Sequence, residues 1–168
     1  MERARAKEIL FEYNNLHPSE MEKRTEILKH FLGATGKQLL IEQPFRCDYG
    51  YNIRVGENFY ANMGCTILDE ALVTFGDNVL LAPNVSIYTA GHAVNVAQRV
   101  AGWEYAYPVT VGHNVWIGGN VVILPGVSIG DNSIIGGGSV VTKDIPANVI
   151  AVGNPCKVIR ELTEDELK

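Results

Sequence analysis

His17, His30, His92 and His113 are the side chains of this sequence best suited to taking up and returning a proton near neutral pH. An imidazole changes charge in that range, and an unperturbed carboxylate or amine does not. Their surroundings separate the four. His17 and His30 lie among helix-forming residues, and His113 occupies a turn position inside a regular repeat. His92 stands near the start of an irregular stretch, Tyr88-Thr89-Ala90-Gly91-His92-Ala93, that interrupts the repeat. A side chain there can project into a cleft. His92 is therefore the candidate general base, weighed against the commoner fate of a lone histidine as a structural residue. Cys47, Cys65 and Cys156 are widely spaced and form no CxxC or Cys/His pattern, so they read as free buried thiols and no metal site is expected. Gly136-Gly137-Gly138 lacks the GxxxxGK[ST] arrangement of a phosphate-cradling nucleotide loop.

These candidates need a scaffold to position them. The chain has 168 residues, 46% hydrophobic and 20% charged, with a formal net charge of −5. That composition suits one domain with a real core and argues against disorder. Basic residues do not cluster, which argues against a nucleic-acid partner. No apolar stretch approaches the roughly 20 residues that span a bilayer. The N-terminus is charged and amphipathic, unlike a signal core. The expectation is a soluble cytoplasmic protein.

Residues 1–35 read as an N-terminal helical segment. Ala6, Ile9, Leu10, Tyr13 and Leu16 fall at spacings of three and four, and Met21, Thr25, Leu28, Phe31 and Leu32 form a second such face before Gly33. Neither helix is long enough to be stable alone, so both must pack on something. From residue 43 to 162 the pattern is different. Val111, Ile117, Ile123, Ile129, Ile135 and Val141 recur every six residues, and Gly112, Gly118, Gly130 and Gly136 follow four of them. Four places after each aliphatic comes Val115, Val121, Val127, Ser133, Ser139 or Ile145. Phe75, Leu81 and Ile87 keep the same interval earlier, and residues 88–110 interrupt it.

A period of six fits neither a helix nor an alternating strand; it marks a hexapeptide β-helix. Each hexapeptide makes one short strand and one turn, one side of a triangular coil. Three sides complete a rung, and rungs stack at the ordinary strand spacing of about 4.8 Å. The aliphatic fills the prism, the residue four places on sits near a crowded corner, and Gly or Asn supplies the turn angles. No rung can bury its inner face alone, so several must stack. An excursion as long as 88–110 within such an array is usually functional.

Several stretches carry a more specific resemblance: Pro44-Phe45-Arg46-Cys47-Asp48-Tyr49-Gly50, Gly56-Glu57-Asn58-Phe59-Tyr60-Ala61-Asn62, Gly91-His92, Asn114-Val115-Trp116-Ile117-Gly118-Gly119, and Asn154-Pro155-Cys156-Lys157-Val158-Ile159-Arg160. Together they resemble the maltose/galactoside O-acetyltransferase family of hexapeptide-repeat acyltransferases, over residues 1–162. The resemblance implies a mainly β fold, a left-handed parallel β-helix with a short N-terminal helical segment, assembled as a homotrimer with active sites between subunits. The left hand comes from the resemblance, since parallel crossovers otherwise favour the right hand.

The implied activity is acetyl transfer from acetyl-CoA to a sugar hydroxyl, with no metal. It needs a base for the hydroxyl proton, stabilisation of the tetrahedral oxyanion, and alignment of two substrates. By resemblance, His92 is the base, Glu104 fixes and stabilises its imidazolium, and Asn62 faces the reacting hydroxyl. The bland alternative for Asn62 is a stabilising asparagine ladder. Asp48, Tyr60, Asn62, Asp69 and Glu70 are the implied acceptor contacts. Asp48 resembles the maltose-type member and the Asp69-Glu70 pair the galactoside type. Gly119 lies against the acetyl-CoA arm beside Trp116, and the Gly118-Gly119 pair lets backbone approach the thioester. Gly137, Thr142, Lys143, Lys157 and Arg160 line the rest of the coenzyme groove, the cations serving its phosphates. Family members usually carry roughly 20 further N-terminal residues, including an acidic acceptor contact, and Met1 falls after that segment.

Three other readings compete. A γ-class carbonic anhydrase on the same coil needs three histidine ligands, and only His92 and His113 lie in the coil. A structural β-helix subunit would need rungs and nothing else. Acetylation of an antibiotic, serine or a lipo-oligosaccharide sugar is the strongest rival, because fold and donor site do not fix the acceptor.

Overall fold

Stacked short strands on three faces account for the six-residue period. The structure, a computed structural model, describes all residues 1–168. Strands are numbered in chain order. The first face carries β1 (Leu39–Ile41), β4 (Phe59–Ala61), β7 (Leu80–Leu81), β12 (Trp116–Ile117), β15 (Ile134–Ile135) and β17 (Val149–Val152), closed by antiparallel β18 (Lys157–Glu161). The second carries β2 (Arg46–Cys47), β5 (Thr66–Leu68), β8 (Ser86–Tyr88), β13 (Val122–Ile123) and β16 (Val140–Val141). The third carries β3 (Ile53–Arg54), β6 (Val73–Phe75), β11 (Val109–Val111) and β14 (Ser128–Ile129). Pairing within each of the three stacks is parallel, apart from β18. The chain is a β-solenoid.

Register explains the period. Ala61, Leu81, Ile117, Ile135 and Ala151 form one vertical column, and Cys47, Ile67, Ile87, Ile123 and Val141 form another. Phe75, Val111 and Ile129 form the third, which an isolated bridge extends to Ile145. All of these side chains point inward and are buried. Burying an aliphatic of this size stabilises by about 1.5–3 kcal/mol, so the columns carry most of the driving force. Val115, Val121, Val127, Ser133 and Ser139 are buried as well. The two serines satisfy their hydroxyls on backbone carbonyls, Ser133 on Pro146 at 2.8 Å and Ser139 on Gly136 at 2.5 Å.

One corner is laced by side-chain amides. Asn58, Asn78, Asn114 and Asn132 each donate through Nδ2 to Oδ1 of the next asparagine one rung on, ending at Asn148, over 2.7–2.9 Å. All five hold φ between 55° and 62°, a left-handed conformation that asparagine tolerates better than any other residue bearing a Cβ. The ladder and the turn geometry thus select the same residue. Asn62 is not part of it: its Oδ1 accepts from the Met63 N–H at 2.8 Å.

Two helices, α1 (Glu2–Asn15) and α2 (Met21–Phe31), close the first rung. Without them the inner face of that rung would meet water. Ala6, Leu10 and Tyr13 of α1 and Leu28 and Phe31 of α2 join the same apolar cluster as the coil. The predicted face of α2 needs one correction. Met21 is exposed, and Arg24 is buried in its place, because its guanidinium donates to the Ile41 carbonyl at 3.0 Å and to Glu42 at 3.1 Å. Asn14 anchors α1 by a reciprocal pair of 2.9 Å hydrogen bonds with the Phe45 backbone.

Candidate active site

The excursion leaves the coil after β8 as an antiparallel hairpin, β9 (Ala90–His92) with β10 (Glu104–Ala106), tipped by a short helix α3 (Val96–Val100). His92 and Glu104 are cross-strand partners, so their side chains leave the same face of the ribbon. His92 Nδ1 lies 3.8 Å from Glu104 Oε1. That separation allows charge attraction but is longer than a hydrogen bond. Both side chains are more than half exposed. Arg99 braces the hairpin by donating to the Ala93 and Val94 carbonyls at 3.0 and 2.9 Å. Thr89 roots it: its buried hydroxyl donates to the Leu68 carbonyl at 2.8 Å and accepts from the Ala71 N–H at 2.9 Å. Sequence patterning did not single out Thr89, since its role depends on contacts one rung away.

Directly below the root lie Asp48, Asp69 and Glu70, on turns that follow β2 and β5. Asp69 has a different place from the one expected by resemblance. Its side chain is fully buried, and its carboxylate accepts from the backbone N–H groups of Asp48, Tyr49 and Gly50 at 2.8–3.0 Å. It braces the turn carrying Asp48 and is turned away from any acceptor. Burial raises its pKa, and the three amides pull against that rise. Asp69→Ala would leave three backbone N–H groups, one buried and two partly buried, without their acceptor. Stability should fall by at least about 2 kcal/mol, read as a lower Tm at fixed protein concentration; an unchanged Tm would contradict this role.

Asp48 and Glu70 remain half-buried and available. Glu70 Oε1 accepts from Arg3 at 2.7 Å, whereas Oε2 is buried and has no donor. Burial raises the Glu70 pKa, and the adjacent Asp48 carboxylate raises it further.

Asn62 and the glycines lie along a different edge, between the first and second faces. Asn62 N–H donates to the Leu81 carbonyl, one rung before the column that reaches Gly118 and Gly136. Tyr60 precedes it on β4, half-buried. Gly119 and Gly137 follow the same edge. The Gly119 N–H has no partner among the hydrogen bonds of the chain. A Cβ on Gly118 would stand 2.5 Å from the Gly137 nitrogen, so that position admits no side chain; on Gly119 it would meet the Pro83 carbonyl at 3.3 Å. Trp116 is half exposed on the first face. Thr142 and Lys143 are exposed after β16, on the edge that also carries the hairpin, higher up. Lys157 and Arg160 are exposed on β18. Arg160 is engaged by Glu166 through two 2.7 Å bonds, which hold the Glu166 carboxyl down to about 2.

Within one protomer, then, the structure gathers His92, Glu104, Asp48 and Glu70 along one edge and Asn62, Gly119 and Gly137 along another, with the second face between them. His113 belongs to neither. Its Nδ1 accepts from the Asp77 N–H at 3.0 Å in a turn. No three His, Cys, Asp or Glu side chains cluster at metal-ligating range, and no helix is long and apolar enough to cross a membrane.

A hexapeptide coil bearing a histidine on a hairpin defines a hexapeptide-repeat transferase. Residues 108–143 match the bacterial transferase hexapeptide signature of six repeats, and residues 1–36 match the maltose acetyltransferase hexapeptide capping motif. The chain belongs to the maltose/galactoside O-acetyltransferase family. It is 52% identical over 162 residues to the galactoside O-acetyltransferase of Escherichia coli, covering 96% of this chain and 80% of that protein. A solved galactoside acetyltransferase in complex with coenzyme A superimposes with a TM-score of 0.96 at 51% identity, covering 99% of this chain and 83% of the other. A maltose O-acetyltransferase from Clostridium difficile 630 gives a TM-score of 0.96 at 56% identity, over 97% and 87% of the two chains.

Proposed function

We propose that this protein is an acetyl-CoA-dependent O-acetyltransferase that acetylates a sugar hydroxyl and works as a cytoplasmic homotrimer. The observation that carries this reading is the cross-strand pair of His92 and Glu104 on the same coil edge as the Asp48–Glu70 carboxylates. The family relatives, named for galactoside and maltose acetylation and one bound to coenzyme A, support the donor and the acceptor class. Three free buried cysteines suit a reducing compartment.

The chemistry follows from the placement. Glu104, 3.8 Å from Nδ1, attracts the imidazolium that forms when Nε2 takes the acceptor proton, and a closing of that gap to a hydrogen bond would hold the ring in the matching orientation. As the O–H bond breaks, the oxygen attacks the thioester carbonyl and a C–O bond forms. The free Gly119 N–H of a neighbouring subunit donates to the oxyanion. Collapse breaks the C–S bond, and the imidazolium returns its proton to the departing thiolate, giving free coenzyme A and the acetylated sugar. Asn62 of the same neighbour orients the hydroxyl. Lys143, Lys157 and Arg160 meet the coenzyme phosphates, for which Arg160 must exchange its Glu166 partner.

The test is release of free thiol from acetyl-CoA across maltose, glucose, galactosides, serine and hydroxylated antibiotics. Sugars should give rates at least tenfold above acetyl-CoA hydrolysis. Thiol release confined to serine or an antibiotic would replace the acceptor, and none with any acceptor would reject the enzyme.

A further inference from the structure

Arg3 is the only basic side chain paired with the two acceptor-site carboxylates, and the contacts come from the far end of the sequence. It stands in the first turn of α1, where a cation opposes the helix dipole. Its Nη2 donates to Glu70 Oε1 at 2.7 Å, and its Nε lies 3.7 Å from Asp48 Oδ1. The guanidinium also stacks 5.2 Å from the Tyr49 ring centre. Three contacts thus hold one planar fork across both carboxylates.

We infer that Arg3 is the positioning residue of the acceptor pocket, holding Asp48 and Glu70 as a pair of hydrogen-bond acceptors for the hydroxyls of a neutral polyol. This deepens the functional reading above and rests on it. Two carboxylates this close repel, and one escapes by keeping a proton. A protonated Glu70 would donate where a sugar hydroxyl needs an acceptor. A guanidinium with a hydrogen bond to Glu70 and a charge contact to Asp48 offsets that repulsion while both carboxylates keep an exposed edge. A carboxylate left without a cation would also be freer to rotate away from the acceptor.

The alternative is that Arg3 merely pins α1 to the coil. Asn14→Ala separates the two, since Asn14 anchors the same helix to Phe45, outside the carboxylate pair. In the thiol-release assay, Arg3→Ala should raise the acceptor KM about tenfold, the scale of one charge-assisted contact. Its acetyl-CoA KM and its kcat at saturating acceptor should stay within twofold. Arg3→Lys should recover part of the loss, and Asn14→Ala should lower Tm without moving the acceptor KM. An unchanged acceptor KM in Arg3→Ala overturns the inference, and so does an equal rise in Asn14→Ala. A second reading needs no substrate. Glu70 is faced by Arg3 from α1 and by Asp48 from the turn after β2. Carbon-13 NMR of the Glu70 carboxyl should show its titration moving to higher pH in Arg3→Ala. A titration that stays put overturns the inference whichever acceptor is used. Wild-type protein inactive on every acceptor would instead defeat the functional reading, and the acceptor role of Arg3 with it.

Discussion

His92→Ala should lower kcat by about 10²-fold or more, the usual scale for loss of a general base, while the protein stays folded. The two halves of that expectation have separate grounds. The His92 side chain is 60% exposed, and its one polar neighbour is Glu104 at 3.8 Å. An exposed side chain with so little contact contributes within about 0.5 kcal/mol to stability, so Tm should not move. Catalysis has no substitute for the imidazole: the other polar side chains at the site are carboxylates, the Asn62 amide, the Tyr60 phenol and the Arg3 guanidinium, types that do not both take a proton from a hydroxyl and return it to a thiolate near neutral pH. The acetyl-CoA KM should stay near wild type, because Gly119 and Gly137 lie on a different edge and Thr142 and Lys143 lie higher up the coil than the hairpin. Equal turnover by His92→Ala and wild-type protein, in the same thiol-release assay, removes His92 from the mechanism.

The second expectation concerns mixed assemblies. His92 and Asn62 stand on different edges of one protomer, so the proposed trimer joins the His92 edge of one subunit to the Asn62 edge of the next. His92→Ala and Asn62→Ala subunits should each be nearly inactive alone, Asn62→Ala by about 10²-fold, the scale for misplacing a reacting group. Co-refolded in equal amounts they should regain roughly a quarter of wild-type activity. In a closed ring each interface draws one residue from each side, and half the subunits supply an intact copy of either. A site built within one protomer predicts no recovery at all. Mixing the folded single variants without refolding should also give none, which controls for a contaminating enzyme.

The inward columns were legible because the burial period of a rung is short and local: Ile117, Ile123, Ile129 and Ile135 lie six apart and each fills the prism. His92 was legible because it breaks that period. Other features were not. Phe75 and Val111 stand in register on adjacent rungs although 36 residues separate them. The kept phase across the excursion therefore has no structural necessity, because a hairpin can leave and re-enter at one corner at any length. Asp69 looked like a partner of Glu70, and only the inward turn of its carboxylate shows it serving three backbone amides. Arg24 reads as a surface residue of α2 until the Ile41 carbonyl is seen beneath it.

The sequence by itself determined the coil, its inward side chains, the two capping helices and the place where the coil is interrupted. Each of these follows from spacing along the chain, and hydrophobic burial reads spacing. Only the tertiary structure decided how the polar groups meet: the 3.8 Å cross-strand geometry of Glu104 and His92, Arg3 with Glu70 across 67 residues, and Asn62 on an edge away from both. Hydrogen bonds and ion pairs act over about 3–4 Å and depend on angle. A side chain's polar partner is therefore set by the path of the folded backbone, which no local pattern of residue types records.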